Sequence, residues 1–142
     1  MTATAAPPEL HALALAYAHH ADRREPDLVA ALFEPDGELR MARRGDDGPP
    51  MVSRGHRHIA SAVGRLRQFD ATFHLVANHS VELAGDEATG EVYCVAHHVA
   101  ADGSDHVMYI RYLDRYRLHD GRWLFTERET FVEWTEHRPA AS

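Results

Sequence analysis

The chain has 142 residues, 44% hydrophobic and 26% charged, which is the size and balance of one folded domain. Its 22 acidic residues outnumber 15 basic ones, every one of them Arg, for a net charge of −7. The absence of Lys excludes Schiff-base amine catalysis and a P-loop lysine, the acidic balance argues against a nucleic-acid-binding face, and a lone Cys94 excludes a disulfide framework or multi-cysteine zinc site.

Residues 1–8, rich in Ala, Thr and Pro, read as a disordered tail. The first residues carry neither a basic region nor an apolar signal core, and no apolar run approaches the roughly 20 residues of a membrane span. A soluble cytoplasmic protein is therefore expected. From Glu9 to Arg23, Leu10, Leu13, Ala14, Tyr17 and Ala21 recur at helical spacing and predict helix one. Pro26 opens a short second helix with Leu28, Val29, Leu32 and Phe33 as its apolar face. Pro35-Asp36-Gly37 is turn chemistry, and a short strand from Glu38 to Ala42 follows.

Residues 43–54 read as a polar loop, with Ser53 as a helix cap. Helix three spans about His56 to Gln68, with Ile59, Val63 and Leu66 on one side. Four β-like segments come next: Thr72–Leu83, Ala88–Ala100, His106–His119 and Arg122–Trp134, the last two joined by an Asp120-Gly121 hairpin signal. Helices first and long strands after predict an α+β fold, with the domain at residues 9–135 and a tail at 136–142. A bent sheet wrapped around helices would enclose a cavity.

The run LVAALFEPDGELRM, the third helix GHRHIASAV and the closing strand DGRWLFTER occur in the order and spacing of a known family. The chain resembles the SnoaL-like group of the nuclear transport factor 2-like superfamily, which includes scytalone dehydratase, lindane dehydrochlorinase, bile-acid dehydratases and polyketide cyclases. The resemblance covers about residues 9 to 135. It implies a cone-shaped α+β barrel: three helices in the concave face of a strongly bent, mainly antiparallel sheet, with a deep apolar pocket. It also implies an Asp closing helix one, here Asp22, and a His on the first long strand, here His74 in TFHLVANHSVEL. A second pocket His is matched by His98 and a helix-one Tyr by Tyr17.

The residues themselves leave alternatives open. Strand parity puts His74, Val76 and Asn78 on one face, but Phe73, Leu75 and Ala77 make the other face apolar too, so His74 reads as buried either way. It is either a general base held by a carboxylate or a hydrogen-bonded core His. Asp22 lies about 140° around the helix from Tyr17, so the two share a pocket only where that pocket wraps the helix end. Without the resemblance Asp22 reads as a solvated acid beside Arg23 and Arg24. Of the adjacent pair, His98 shares a face with Cys94 and Ala96, while His97 shares one with Tyr93 and Val95. Arg128 either meets a substrate carbonyl or anion or pairs with Glu127, Glu129 or Asp114. Tyr112, Phe33, Val76 and Asn78 are further candidates for the pocket wall, and Cys94 reads as a small apolar wall residue. Twelve His raise the possibility of a metal, but His19-His20, His56-x-His58 and His97-His98 all lack the helical i, i+4 spacing, so no metal site is assigned.

The expected activity is proton transfer without a cofactor on a small polyketide-, steroid- or aromatic-like molecule. His74, polarised by Asp22, would remove a proton, and His98, Tyr17 or a water would protonate the departing group. Dehydration, isomerisation and cyclisation are all compatible. One departure is that the strand after helix two, ELRMARRG, lacks the Tyr of scytalone dehydratase, and its Arg40, Arg43 and Arg44 suit a more acidic substrate or solvent. The alternative is a non-catalytic binding or interaction module. No nucleic-acid or membrane partner is expected, and a homo-oligomer, dimer or trimer, is.

Overall fold

A computed structural model describes residues 4–140. Helix α1 runs Pro8–Asp22, with Pro at its start, where the missing N–H costs nothing. Its buried stripe is Leu10, Leu13, Ala14, Tyr17, Ala18 and Ala21, and the alanines let the helix lie close to the sheet. The helix ends where Arg24 takes a left-handed backbone (φ 62°). Helix α2 is only Pro26–Ala30. Of its expected apolar face, Leu28 is exposed, and Phe33 belongs instead to the next strand, where it is buried.

Seven strands form one sheet: β1 (Thr4–Ala5), β2 (Phe33–Arg43), β3 (Met51–Arg54), β4 (Ala71–Ala84), β5 (Glu87–Val99), β6 (Ser104–His119) and β7 (Arg122–Pro139), in the order β1-β4-β5-β6-β7-β2-β3. Every pairing is antiparallel except β2 with β7. The architecture is the α+β cone: three helices packed on a curved, mainly antiparallel sheet. No helix among the described residues is long and apolar enough to cross a membrane.

The ends of the chain are more structured than composition suggests. Thr4 and Ala5 pair with Val81 and Ser80, so the expected disordered tail is in part a sheet strand; residues 1–3 lie outside the described residues. At the other end β7 continues past Trp134 to Pro139, paired with Ser104, so most of the expected C-terminal tail is ladder.

Turn chemistry also misleads once. Pro35-Asp36-Gly37 does not separate a helix from a strand; it is an irregularity within β2, where the register to β7 shifts between Phe33 and Glu38. Gly37 fits there because a Cβ would sit 3.0 Å from the Glu34 carbonyl and 3.1 Å from Phe33 Cβ. The expected loop at 43–54 contains β3, which folds back on β2 from Glu38↔Arg54 to Met41↔Met51. Ser53 is therefore a strand residue, and Gly55 (φ 82°) precedes α3 (His56–Gly64) without a side-chain cap. A 3₁₀ turn, Arg65–Gln68, completes the expected span of helix three.

Strand β4 contains a bulge: between Val76↔Cys94 and His79↔Val92, two residues oppose one. The extra residue reverses the facing of everything after it. Asn78 is turned outward and exposed, contrary to simple alternation, and His79 and Val81 take the inner face. The other β4 face is not buried: Phe73 is 62% exposed and Leu75 56%.

Candidate active site

The last residue of α1 meets the start of β4. The Asp22 carboxylate accepts two hydrogen bonds from one residue, the His74 ring Nδ1 to Oδ1 at 2.6 Å and the His74 backbone N–H to Oδ2 at 2.8 Å. Thr72 adds a third, its hydroxyl donating to Oδ1 at 2.9 Å. The Thr72 oxygen in turn accepts from Arg24 at 2.7 Å, so the left-handed turn that ends α1 aims a side chain that helps hold Asp22. Burial pushes the Asp22 carboxyl up, but the His74 ring and backbone bonds and the Thr72 hydroxyl outweigh it and hold the group below its ordinary range.

A carboxylate only accepts, so Nδ1 of His74 carries its proton and Nε2 is left with a free lone pair. The His74 side chain is 7% exposed and lines a cavity of about 250 Å³. His98 sits opposite, the two rings edge-on with centroids 5.7 Å apart. Its Nδ1 lies 3.0 Å from the His106 carbonyl, which also only accepts, so neutral His98 likewise has a bare Nε2. Burial pushes the His98 pKa down, against the opposing effect of the hydrogen bond to the His106 carbonyl, and nearby His74 adds to the lowering.

Tyr17 and Tyr112 complete the polar end of the cavity, with Thr130 beside them. Burial raises the Tyr17 phenol to about 12, against the opposing field of Arg128. It is a hydrogen-bond donor at neutral pH. The remaining wall is mainly apolar, with Arg40, Ser53, Arg65 and Gln68 as its polar members. Its apolar part includes Leu39, Met41, Met51, Val63, Leu66, Phe69, Met108 and Ile110, and with Met1 set aside these include every methionine of the chain.

The structure brings together four of the candidate residues, Tyr17, His74, His98 and Tyr112, around this cavity, with Asp22 behind His74. The other candidates lie elsewhere. Arg128 is 1% exposed and is engaged by Asp114 through two bonds of 2.8 and 2.9 Å, so its guanidinium does not reach a substrate. Phe33 packs on Tyr17 and Phe125 in the core. Cys94 is buried, its thiol pushed up to about 11 by burial, and Val76 packs against the same core; neither lines the cavity. Asn78 faces out. His97 points to the opposite side from His98, its Nδ1 2.6 Å from Asp105.

The Arg-rich stretch has an answer too. Arg40 shares its face with Glu127 and Glu129 through the β2–β7 register, and its guanidinium lies 3.2 Å from Glu127 and 3.7 Å from Glu129. It is already neutralised. Away from the cavity, His19, His20 and Glu25 bring their ligand atoms within 4.8 Å of one another at the end of α1, where His20 and Glu25 are hydrogen-bonded at 3.1 Å.

The residues that sequence reasoning missed are Met41, Met51 and Met108, together with Arg65, Leu66 and Gln68 of the 3₁₀ turn and Phe69 just after it. Their signal was weak because Met is common in any core. Ser53 was read as a cap, and only the β2–β3 pairing turns it to the cavity.

A family model for the SnoaL-like domain matches residues 4–129. No curated protein matches the chain. Among solved structures it is similar to a candidate scytalone dehydratase from Novosphingobium aromaticivorans, with a TM-score of 0.80 and 23% identity over 94% of this chain and 88% of the other. A protein of unknown function from Mycobacterium tuberculosis gives a TM-score of 0.76 and 24% identity over 88% and 70%. A hexachlorocyclohexane dehydrochlorinase, LinA type 2, gives 0.77 and 15% identity over 94% and 88%.

Proposed function

The chain belongs to the SnoaL-like domain family, and on that premise we propose that it is an acid–base enzyme that eliminates a small leaving group from a small, mainly apolar organic molecule without a cofactor. The observation that carries this reading is the 2.6 Å contact between His74 Nδ1 and Asp22, which leaves Nε2 as the free base at a cavity wall. Nε2 of His74 removes a proton from carbon adjacent to a carbonyl or similar activating group. Asp22 keeps the ring in the required tautomer and stabilises the imidazolium.

The leaving hydroxyl needs a proton. Neutral His98 presents a lone pair there, which suits it to accept from a substrate O–H and not to donate. The acid is then Tyr17, a water, or the His74 imidazolium itself. A positioned acid or base supplies roughly 10²–10⁴-fold each, and the mainly apolar wall supplies orientation. Arg128 and Arg40 are both paired with acids, which favours a neutral group at the Tyr17–Tyr112 end of the cavity, while Arg65 lines the cavity elsewhere. Two structurally similar proteins are described as a dehydratase and a dehydrochlorinase, and both names denote eliminations, which supports that outcome over isomerisation or cyclisation.

Exposed Phe73, Leu75, Tyr93, Leu113 and Trp134 on the outer sheet face support self-association as a dimer or trimer. The deciding experiment offers a panel of neutral β-hydroxy ketones and chlorinated cyclohexanes to the protein and to His74→Ala and Asp22→Asn. Release of water or chloride by the parent alone, with all three folded by circular dichroism, is expected. Binding of panel members with no turnover by the parent would replace the enzyme by a binding module.

A further inference from the structure

Arg128, displaced from the substrate, is the end of a hydrogen-bond chain in which every proton has one possible place. Its Nε and one terminal nitrogen donate to Asp114 Oδ1 and Oδ2. Tyr116 donates its hydroxyl proton to Asp114 Oδ2 at 2.9 Å. The Tyr116 oxygen can then only accept from His79, 2.9 Å away, so Nε2 of His79 carries the proton and Nδ1 is bare. His11 lies 3.1 Å from that bare Nδ1 and must donate to it through its own Nδ1–H. Three links therefore run in one direction from a half-buried ring on α1 to the Asp114 carboxylate, where they meet the two bonds donated from the other side by a buried guanidinium on β7.

The chain then returns to its starting helix. The Arg128 guanidinium carbon lies 4.4 Å from the centre of the Tyr17 ring, 3.8 Å from Tyr112 and 4.5 Å from Phe125. His11 and Tyr17 are both on α1, so the helix is held at two points by one closed loop of contacts through β4, β6 and β7. Asp114 cannot turn without breaking three bonds, and the guanidinium cannot turn without leaving Asp114. A slot has been kept open for this arrangement: a Cβ on Gly90 would lie 2.7 Å from the Tyr116 hydroxyl, although Gly90 has no unusual backbone angle that would require glycine.

Buried ion pairs are a poor way to gain stability, because apolar residues of the same volume often do better. Their use here is explained by what the loop fixes. We propose that His11, His79, Tyr116, Asp114 and Arg128 act as one positioning unit that sets the rotation of α1, and with it the Tyr17 hydroxyl and the Asp22 carboxylate, against the cavity. The proposal rests on the reading of Tyr17 and Asp22 as site groups. None of the five touches the substrate; they act through Tyr17, Tyr112 and the helix.

The test uses the whole chain labelled with ¹⁵N-histidine and ¹³C-tyrosine. In the parent, His11 reports a proton on Nδ1, the less common tautomer for an imidazole, and His79 one on Nε2. Tyr116→Phe removes one oxygen and keeps every ring, so ring-current changes do not confuse the result. It is expected to free His11 from its Nδ1–H form and to move the Tyr17 and Tyr112 signals. Gly90→Ala is expected to do the same without deleting a polar group. His79→Gln, which keeps a donor and an acceptor, is expected to preserve the Tyr17 signal, and His79→Phe to lose it. Unchanged Tyr17 and Tyr112 signals in folded Tyr116→Phe and Gly90→Ala overturn the proposal. A His74 ring without a proton on Nδ1 would instead overturn the dyad and leave the result at Tyr17 to stand by itself.

Discussion

One carboxylate of Asp22 grips both ends of His74, its ring at 2.6 Å and its backbone N–H at 2.8 Å. The ring and the strand that carries it are thus fixed by the same group. Asp22→Asn keeps the size of the side chain but offers a mixed donor and acceptor, which no longer enforces a single His74 tautomer. We expect turnover to fall by about 10³–10⁴-fold, as for the carboxylate of a catalytic triad. Steady-state kinetics on the panel substrate that the parent converts would check this, with His74 tautomers read by NMR.

Acid should destabilise the fold through two groups. Asp22 has its folded pKa lowered, so its contribution is present above the unfolded carboxylate value and is lost as pH falls through the folded one. His79 is lowered from 6.5 to about 4, chiefly by burial, so the unfolded chain takes up a proton before the folded one does. Stability therefore falls between about pH 6.5 and pH 4 at this site, by about 1–2 kcal/mol once partial solvent screening is allowed for. Urea unfolding across that range checks the slope, and a His79 ring that stays neutral at about pH 5 in NMR checks its origin.

Removing one partner of the Arg128–Asp114 pair strands a charge in the core. Asp114→Ala is expected to cost about 3–5 kcal/mol, whereas the double substitution Asp114→Leu with Arg128→Met should be less destabilised than Asp114→Ala alone. Equal losses in denaturant melts would contradict the account of the pair.

Gly90→Ala adds only one methyl group, yet it meets the Tyr116 hydroxyl at 2.7 Å and the Ser80 carbonyl at 3.1 Å. An overpacking cost of about 1–3 kcal/mol is expected, visible as a lower urea midpoint. Combined with Tyr116→Phe the cost should be less than the sum of the two, because the clashing oxygen is gone.

Trp134 is 57% exposed, stacks on Tyr109 and faces outward. If copies associate through this face, Trp134→Glu should lower the mass measured by sedimentation without altering the cavity. A parent chain that sediments as a monomer would remove self-association from the proposed function.

The helices and long strands were legible because period 3.6 and period 2 are strong local signals and the Asp120-Gly121 hairpin is a strong turn. Tyr17, Asp22, His74 and His98 were reachable through the family resemblance combined with strand parity. What escaped were effects of pairing. Asn78 was misplaced because a bulge has no signature in TFHLVANHSVEL. β3 escaped because its four residues form a strand only against β2. Arg128 could have met a substrate or an acid partner, and only the β6–β7 register, which sets it opposite Asp114, decides between them.

The bulge in β4 divides one strand into two reading frames. Upstream, even positions such as His74 look into the cone; downstream, odd positions such as His79 do. The frame that carries the proposed base and the frame that carries His79 are thus offset by a single residue. Deleting the extra residue would merge the two frames, with His74 still opposite Ala96 and His79 still opposite Val92, both facing inward. Each half of the strand thus takes its facing from its partners on β5 and not from one alternation along β4.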